Sequence, residues 1–288
     1  MNTFAGRDQG RMLDRKSMRS LRYYNAFGAR RISGWFSRLD AAMFTTLLLF
    51  QRSRGIRGGT AEIGVHEGKS FIPLCLALAD NERAICIDVF EDQDLNVDGS
   101  GRGSLSALRR NLAAYRIPEF QVDVLKASSL GLPSKNILDR AGPLRFISID
   151  GGHWQEIVEN DLELARLCAA PGQIIALDDF FDVDWPGVTA ALMAWFQKSG
   201  HDYCPLAVTP GKLYLCHRNH YDLYKSCLVE HLPIIYHLKK TTSLFGFDTL
   251  ILSGPQSGVR GRLSAWLRTY QPRLYEITRT SLHDRVRS

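Results

Sequence analysis

From Gly59 onward the sequence alternates short apolar, β-prone runs with segments of helical periodicity, and this alternation leaves few folds open. GTAEIG (59–64), AICIDV (84–89), FQVDVL (120–125), LRFISID (144–150) and QIIALDD (173–179) read as strands. KSFIPLCLALA, SLSALRRNLAAY, QEIVENDLELARLCA and GVTAALMAWFQKS read as the helices between and after them. Successive strand–helix–strand units take right-handed crossovers and build a parallel sheet. Strands that are apolar along most of their length fit a sheet covered on both faces. After residue 203 the pattern changes: PLAVTPGKLYLCH places Thr-Pro-Gly, a turn signal, between two β-prone runs, and LFGFDTLILS (244–253) reads as a last strand. The expected fold is α/β: a doubly wound, mostly parallel, seven-stranded Rossmann-like sheet with an antiparallel edge strand. It occupies residues 59–258, between a basic helical N-terminal extension (1–58) and a basic helical C-terminal extension (259–288).

Charge separates these parts. The chain carries +6 overall; residues 1–34 account for +6 and residues 259–288 for +5, which leaves the body at −5. Solvated helical arms explain basic ends, and a peripheral contact with an anionic membrane or a homo-oligomer contact stays open. No nucleic-acid recognition motif accompanies the charge, so nucleic acid is not an expected partner. AAMFTTLLLF (41–50) falls short of the ~18 apolar residues of a membrane span and reads as a buried helix. The first twenty residues lack the apolar segment of a secretory signal. The six cysteines include no Cys-x-x-Cys pair and read as reduced thiols of a cytoplasmic protein.

EIGVHEGKS (62–70) ends as a phosphate-binding loop does, but its glycines, Gly64 and Gly68, enclose three residues where that loop needs four. A dinucleotide loop needs Gly-x-Gly-x-x-Gly, and position 66 is His. Glu62 falls at the carboxyl end of the first strand, where a carboxylate repels pyrophosphate and suits a ligand carrying positive charge. S-Adenosylmethionine, with an ammonium and a sulfonium and no phosphate, is such a ligand. Asp88 ends the second strand, where an acid accepts hydrogen bonds from ribose hydroxyls in doubly wound nucleoside sites.

Four segments, EIGVHEGKS, CIDVF, FISIDGGHWQEIVENDLELARLCAAPGQIIALDDF and WPGVTAAL, resemble class I S-adenosylmethionine-dependent methyltransferases. They resemble more closely the metal-dependent sugar O-methyltransferases of the macrocin O-methyltransferase-like group, over about residues 59–198. The resemblance implies that Glu62, Gly64, Gly68 and Ser70 line the methionine side of the cofactor and that Asp88 meets the ribose. His66 lies in the same loop, in reach of ligand or solvent. Ser128, in LKASS, falls near the adenine, with Ala127 where the group often has an acid.

Asp150 ends the fourth strand, and Asp178 and Asp179 end the fifth. Three carboxylates converging there would repel one another, and a hard divalent cation such as Mg²⁺, Mn²⁺ or Ca²⁺ would relieve that. A metal would also acidify an acceptor hydroxyl. His153, three residues after Asp150, has the pKa range of a general base, and the resemblance points to it as well. Asp150 is the other catalytic candidate. The loop offers no lysine. Trp154, Phe180, Phe181 and Trp185 suit the wall of an acceptor pocket or loop packing, while His217 and His220 suit surface or capping roles. The implied reaction is O-methylation of a sugar or glycoside, free or within a glycan. A cephalosporin hydroxylase-like enzyme and a non-catalytic cofactor-binding protein of the same fold are the alternatives.

Overall fold

A computed structural model describes residues 18–233 and 237–254 of the chain. The C-terminal extension and the first 17 residues of the N-terminal one lie outside the described residues. The strands are β1 (Gly59–Ile63), β2 (Ala84–Asp88), β3 (Val122–Lys126), β4 (Leu144–Ile149), β5 (Ala169–Asp178), β6 (Tyr203–Val208), β7 (Lys212–His217), β8 (His237–Leu244) and β9 (Phe247–Ser253). They form one sheet in the order β3-β2-β1-β4-β5-β7-β6-β9-β8. The first five in that order are parallel. β7 runs antiparallel to both β5 and β6. β9 joins β6 in parallel, and β8 closes the edge antiparallel to β9.

Among the described residues nine strands replace the expected seven, and the antiparallel strand next to the parallel block is internal. The run 244–253 is not one strand, because it holds the turn of a hairpin. Phe245 and Gly246 both take positive φ (49° and 80°), the conformation of a two-residue hairpin turn whose twist matches its strands. Phenylalanine is an uncommon residue there, so the turn carries no sequence signal. β8, HLKKTTSL, lacks apolar alternation because it is an edge strand, where lysines discourage further pairing.

Helices cover both faces. α1 (Arg38–Ser53), α2 (Phe71–Leu76), α3 (Leu105–Ala114) and α7 (Tyr221–His231) pack on one face through Phe44, Leu47, Phe71, Leu108 and Leu228. α4 (Ser134–Ala141), α5 (Gln155–Leu167) and α6 (Pro186–Lys198) pack on the other through Ile137, Leu162 and Leu192. Alternation along β2 shows the sorting: Ala84 and Cys86 join the first core, Ile85 and Ile87 the second. α1 starts where Ser37 accepts the Asp40 N–H at 3.0 Å, and α6 starts with Pro186 at its first turn. All six cysteines are unpaired and buried. His217 caps a short 3₁₀ turn by accepting the Asn219 N–H.

The segment before β1 is not an appendage. α1 buries Met43, Phe44, Leu47 and Leu48 in the main core. Residues 18–37 are tied to the loop after β1: the Tyr24 hydroxyl donates to the Lys69 carbonyl at 2.6 Å, and Lys69 Nζ to the Gly34 carbonyl at 2.6 Å. The strand order reverses between β1 and β4, which opens a crevice at the carboxyl ends of the parallel strands. No helix of the described residues is long and apolar enough to cross a membrane.

Candidate active site

A cavity of about 700 Å³ fills that crevice. Its walls come from the carboxyl ends of β1, β2, β4 and β5, from segment 33–37 and from the loop 93–103.

At one end, β1 turns through Gly64, Val65 and His66. Gly64 has φ 79°, and a Cβ there would lie 1.7 Å from the Asp150 carbonyl oxygen, so only glycine lets the loops after β1 and β4 touch. Asp88 organises this turn. Its Oδ2 accepts the Val65 and His66 N–H groups at 2.6 and 2.7 Å, and its Oδ1 accepts the Phe90 N–H at 2.6 Å. His66 takes φ 54°, and its buried Nδ1 has no hydrogen-bond partner. Its ring meets the exposed Trp35 edge-on at 5.8 Å. Ser70 and Ser128 also line the cavity.

Glu62 and Gly68, both expected beside the cofactor, do not line the cavity. Gly68 (φ 89°) serves packing, since a Cβ there would lie 2.5 Å from Leu108 Cδ1 on α3. Glu62 is fully buried opposite Ser148 on β4, and neither carboxylate oxygen forms a hydrogen bond of good geometry, although Ser70 and Ser148 lie alongside. Burial pushes its carboxyl up to about 8, against opposing pulls from Lys212 and the two serines. A carboxyl raised in the folded state contributes fully below its unfolded pKa and loses that contribution as pH rises through the folded value. Glu62→Gln is therefore expected to raise the melting temperature of the ligand-free protein, and by more at pH 9 than at pH 5. An equal change at both pH values would show that Glu62 does not titrate in this range.

At the other end, the expected convergence of three carboxylates does not form. Asp178 and Asp179 take different partners, and Asp179, just past the end of β5, takes φ 55°. Asp178 Oδ2 lies 2.8 Å from Lys212 Nζ, and Asp150 Oδ2 lies 3.7 Å from the same ammonium. Asp179 Oδ2 lies 3.0 Å from His153 Nε2. The other ring nitrogen, Nδ1, is 2.8 Å from Asp98 Oδ2, which also accepts the His153 N–H at 2.6 Å. Ser100 donates to Asp98 Oδ1 through N–H and Oγ at 3.0 and 2.6 Å. The imidazole stacks on Trp185 at 4.1 Å between ring centres, 19° from parallel. Donor atoms of Asp150, His153 and Asp179 all lie within 4.8 Å of one another, so this group, rather than Asp150 with Asp178 and Asp179, has the spacing of a cation site.

The electrostatics follow from burial and pairing. Burial, and then the charge of Asp178, raise the Asp150 carboxyl well above the carboxylate range, with Lys212 opposing. For Lys212 burial works downward, but Asp178 and Asp150 outweigh it and hold the ammonium charged. For His153 burial also works downward, and the hydrogen bonds its ring donates to Asp179 and Asp98 reverse it, so its pKa stands above the usual value. Asp98, Lys212 and Asp40 escaped the sequence reading. Asp98 sits in the Gly- and Asp-rich loop, Lys212 directly follows Thr-Pro-Gly, and Asp40 reaches the cavity from α1.

Residues 61–180 match a family model described as a methyltransferase domain. No curated protein matches the chain. Among solved structures the chain is similar to the O-methyltransferase NovP, with TM-score 0.54 and 15% identity over 64% of this chain and 83% of that one. It is also similar to CalS11, a TDP-rhamnose 3'-O-methyltransferase of calicheamicin biosynthesis, with TM-score 0.48 and 16% identity over 69% and 92% of the two chains. An O-methyltransferase from Bacillus cereus in complex with SAH gives TM-score 0.47 and 17% identity over 70% and 90%. The NovP likeness is one of fold.

Proposed function

We propose, since residues 61–180 match a methyltransferase-domain family model, that the chain is an S-adenosylmethionine-dependent enzyme that methylates a hydroxyl of a small molecule with His153 as general base. The observation that carries this reading is His153 at the cavity wall, paired with the buried Asp98 side chain behind it. S-Adenosylmethionine supplies an electrophilic methyl group on a sulfonium sulfur. The residues at hand fit it: the cavity of about 700 Å³ is lined by the loop after β1, and His66 in that loop has a buried Nδ1 without a hydrogen-bond partner. Gly64, His66, Ser70, Asp88 and Ser128 would hold it.

His153 would take up the proton of the acceptor hydroxyl, while the bound cofactor would supply the methyl group to that oxygen and leave as its neutral thioether. Its Nδ1–H donates to Asp98, which fixes the tautomer and leaves the Nε2 lone pair as the proton acceptor. Asp179, 3.0 Å from Nε2, stabilises the imidazolium that results. Trp185 keeps the ring from turning. The acceptor we propose is a hydroxyl of a sugar or glycoside, on the resemblance of the FISIDGGHW…LDDF segment to sugar O-methyltransferases.

A divalent ion, Mg²⁺ or a similar hard cation, is the second reading, and the spacing of Asp150, His153 and Asp179 favours it. These three would hold it, Asp98 would support His153 from behind, and the ion would acidify the acceptor hydroxyl. His153 Nε2 would then be a ligand and not the base, so the two readings exclude each other.

The cofactor is tested by calorimetry. S-Adenosylmethionine and its demethylated product should both bind, and ATP should not, because the loop after β1 lacks the phosphate-binding spacing. Tight ATP binding without any response to the methyl donor would overturn the reading. Cofactor binding with no turnover over a panel of sugar acceptors would leave a non-catalytic binding protein.

A further inference from the structure

We infer that Lys212 is the resident cation of this site, that it takes the place of a divalent ion between Asp150 and Asp178, and that methyl transfer here runs without a metal. The part concerning methyl transfer rests on the proposed function; the part concerning the cation does not.

Three observations carry it. Lys212 Nζ is 2.8 Å from Asp178 and 3.7 Å from Asp150, the two carboxylates at the ends of adjacent parallel strands where a bridging ion would sit. The side chain is 2% exposed, so water screens it little. Its position is also fixed by the backbone. Lys212 pairs directly with Asp178 across β5 and β7, its N–H donates to Thr209 Oγ1 at 2.9 Å, and the Thr209 N–H returns a bond to the Lys212 carbonyl at 2.8 Å. Thr209 Oγ1 in turn donates to Asp40 Oδ1 at 2.7 Å, which anchors the turn to α1.

Asp178, Asp150, Glu62 and Asp40 are the acids around this ammonium. An ammonium is a compact point charge, able to sit between two carboxylates as a small ion does. A dication entering between Asp150 and Asp178 would meet that charge a few ångströms away, with little water to screen it. The remaining donor group shares Asp150 with Lys212, and its histidine already bonds to Asp98 and Asp179. Lys212 is thus a positioning residue: it pairs with Asp178 beside Asp150 and supplies the charge balance a metal would otherwise provide.

The test is Mn²⁺ binding to the full chain, followed by electron paramagnetic resonance, alongside turnover in chelator. The unmutated protein should bind no Mn²⁺ at Asp150, and chelator should leave its turnover unchanged. Lys212→Met should gain one Mn²⁺ site, at least about tenfold tighter than any in the unmutated protein, as two buried carboxylates lose their counter-charge. Lys212→Met/Asp178→Asn should lose that site again. One Mn²⁺ bound to the unmutated protein and removed by Asp150→Asn would overturn the inference, and so would loss of its turnover in chelator that Mg²⁺ restores. These two arms need no Lys212 variant to fold. Failure of the protein to bind S-adenosylmethionine would count against the proposed function and leave the Mn²⁺ result to decide the role of Lys212.

Discussion

His153→Ala should lower the rate of methyl transfer by about 10²–10⁴-fold, the range for a positioned general base. Affinity for S-adenosylmethionine should change little, because His153 lies at the Asp179 and Trp185 end of the cavity and not at the Gly64–His66 turn. The pH profile makes the test specific. Only neutral imidazole accepts the proton, and hydrogen bonds accepted by Asp179 and Asp98 hold the His153 pKa above its usual value despite burial. The rate of the unmutated protein should therefore rise with pH through a midpoint above the ~6.5 of a free histidine. Asp98→Asn removes one of the carboxylates that raise it, so the midpoint should move to lower pH and the rate should fall as the tautomer is no longer fixed. His153→Gln separates a base from a brace: an amide can replace a hydrogen bond but cannot take up a proton near neutral pH. Near-normal turnover of His153→Gln with an unchanged profile would remove His153 as the base.

The sheet was legible where its strands are apolar throughout, because burial on both faces leaves a continuous signal in β1, β2, β4 and β5. The edge was not, because β8 owes its place to pairing with β9 and carries polar residues, and because its turn falls on Phe245. The site divides in the same way. Positions defined by a strand end, Asp88, Asp150 and Asp178, were found, since a strand end is a local feature. Their partners were not. Lys212 arrives from a strand more than thirty residues downstream through the β5–β7 register, and Asp98 is aimed at His153 by its bonds to Ser100 within an irregular loop. The expected set, Asp150 with Asp178 and Asp179, differs at Asp178 from the group with cation spacing, Asp150 with His153 and Asp179, because counting carboxylates from the sequence leaves out Lys212, which another strand delivers. Gly68 shows the other limit. A glycine in a cofactor-type motif signals a close approach, and here what approaches is Leu108.

Arg145→Met should destabilise the protein by roughly 3–5 kcal/mol, the cost of leaving a buried charge without its partner. Arg145 is fully buried on β4, at an irregularity where Leu144 and Phe146 pair with β1 and β5 and Arg145 does not. Its guanidinium donates to both oxygens of buried Glu82 at 3.2 and 3.0 Å, to Gln51 Oε1 at 2.8 Å and to the Ala77 carbonyl at 3.0 Å. Glu82 also accepts the Gly58 and Ala79 N–H groups, while Gln51 Nε2 donates to the Arg145 and Gly172 carbonyls. One side chain thereby joins α1, the entry to β1, the connection from α2 to β2, β4 and β5, the frame that holds the cavity's strand ends in register. Burial alone would raise the Glu82 carboxyl, and Arg145 overrides it so that the pKa is lowered. With that sign, the contribution is present above the unfolded carboxylate pKa of ~4.3 and is lost as pH falls through the lowered folded value. Removing Arg145 reverses the sign, because Glu82 then stays buried without its counter-ion. Urea denaturation of Arg145→Met, Glu82→Gln and the double variant at pH 7 tests this. Two partners of one buried pair are not additive, so the double variant should lose less than the two single losses combined. A loss below about 1 kcal/mol in Arg145→Met, the range of an exposed ion pair, would show that the network does not hold the frame together.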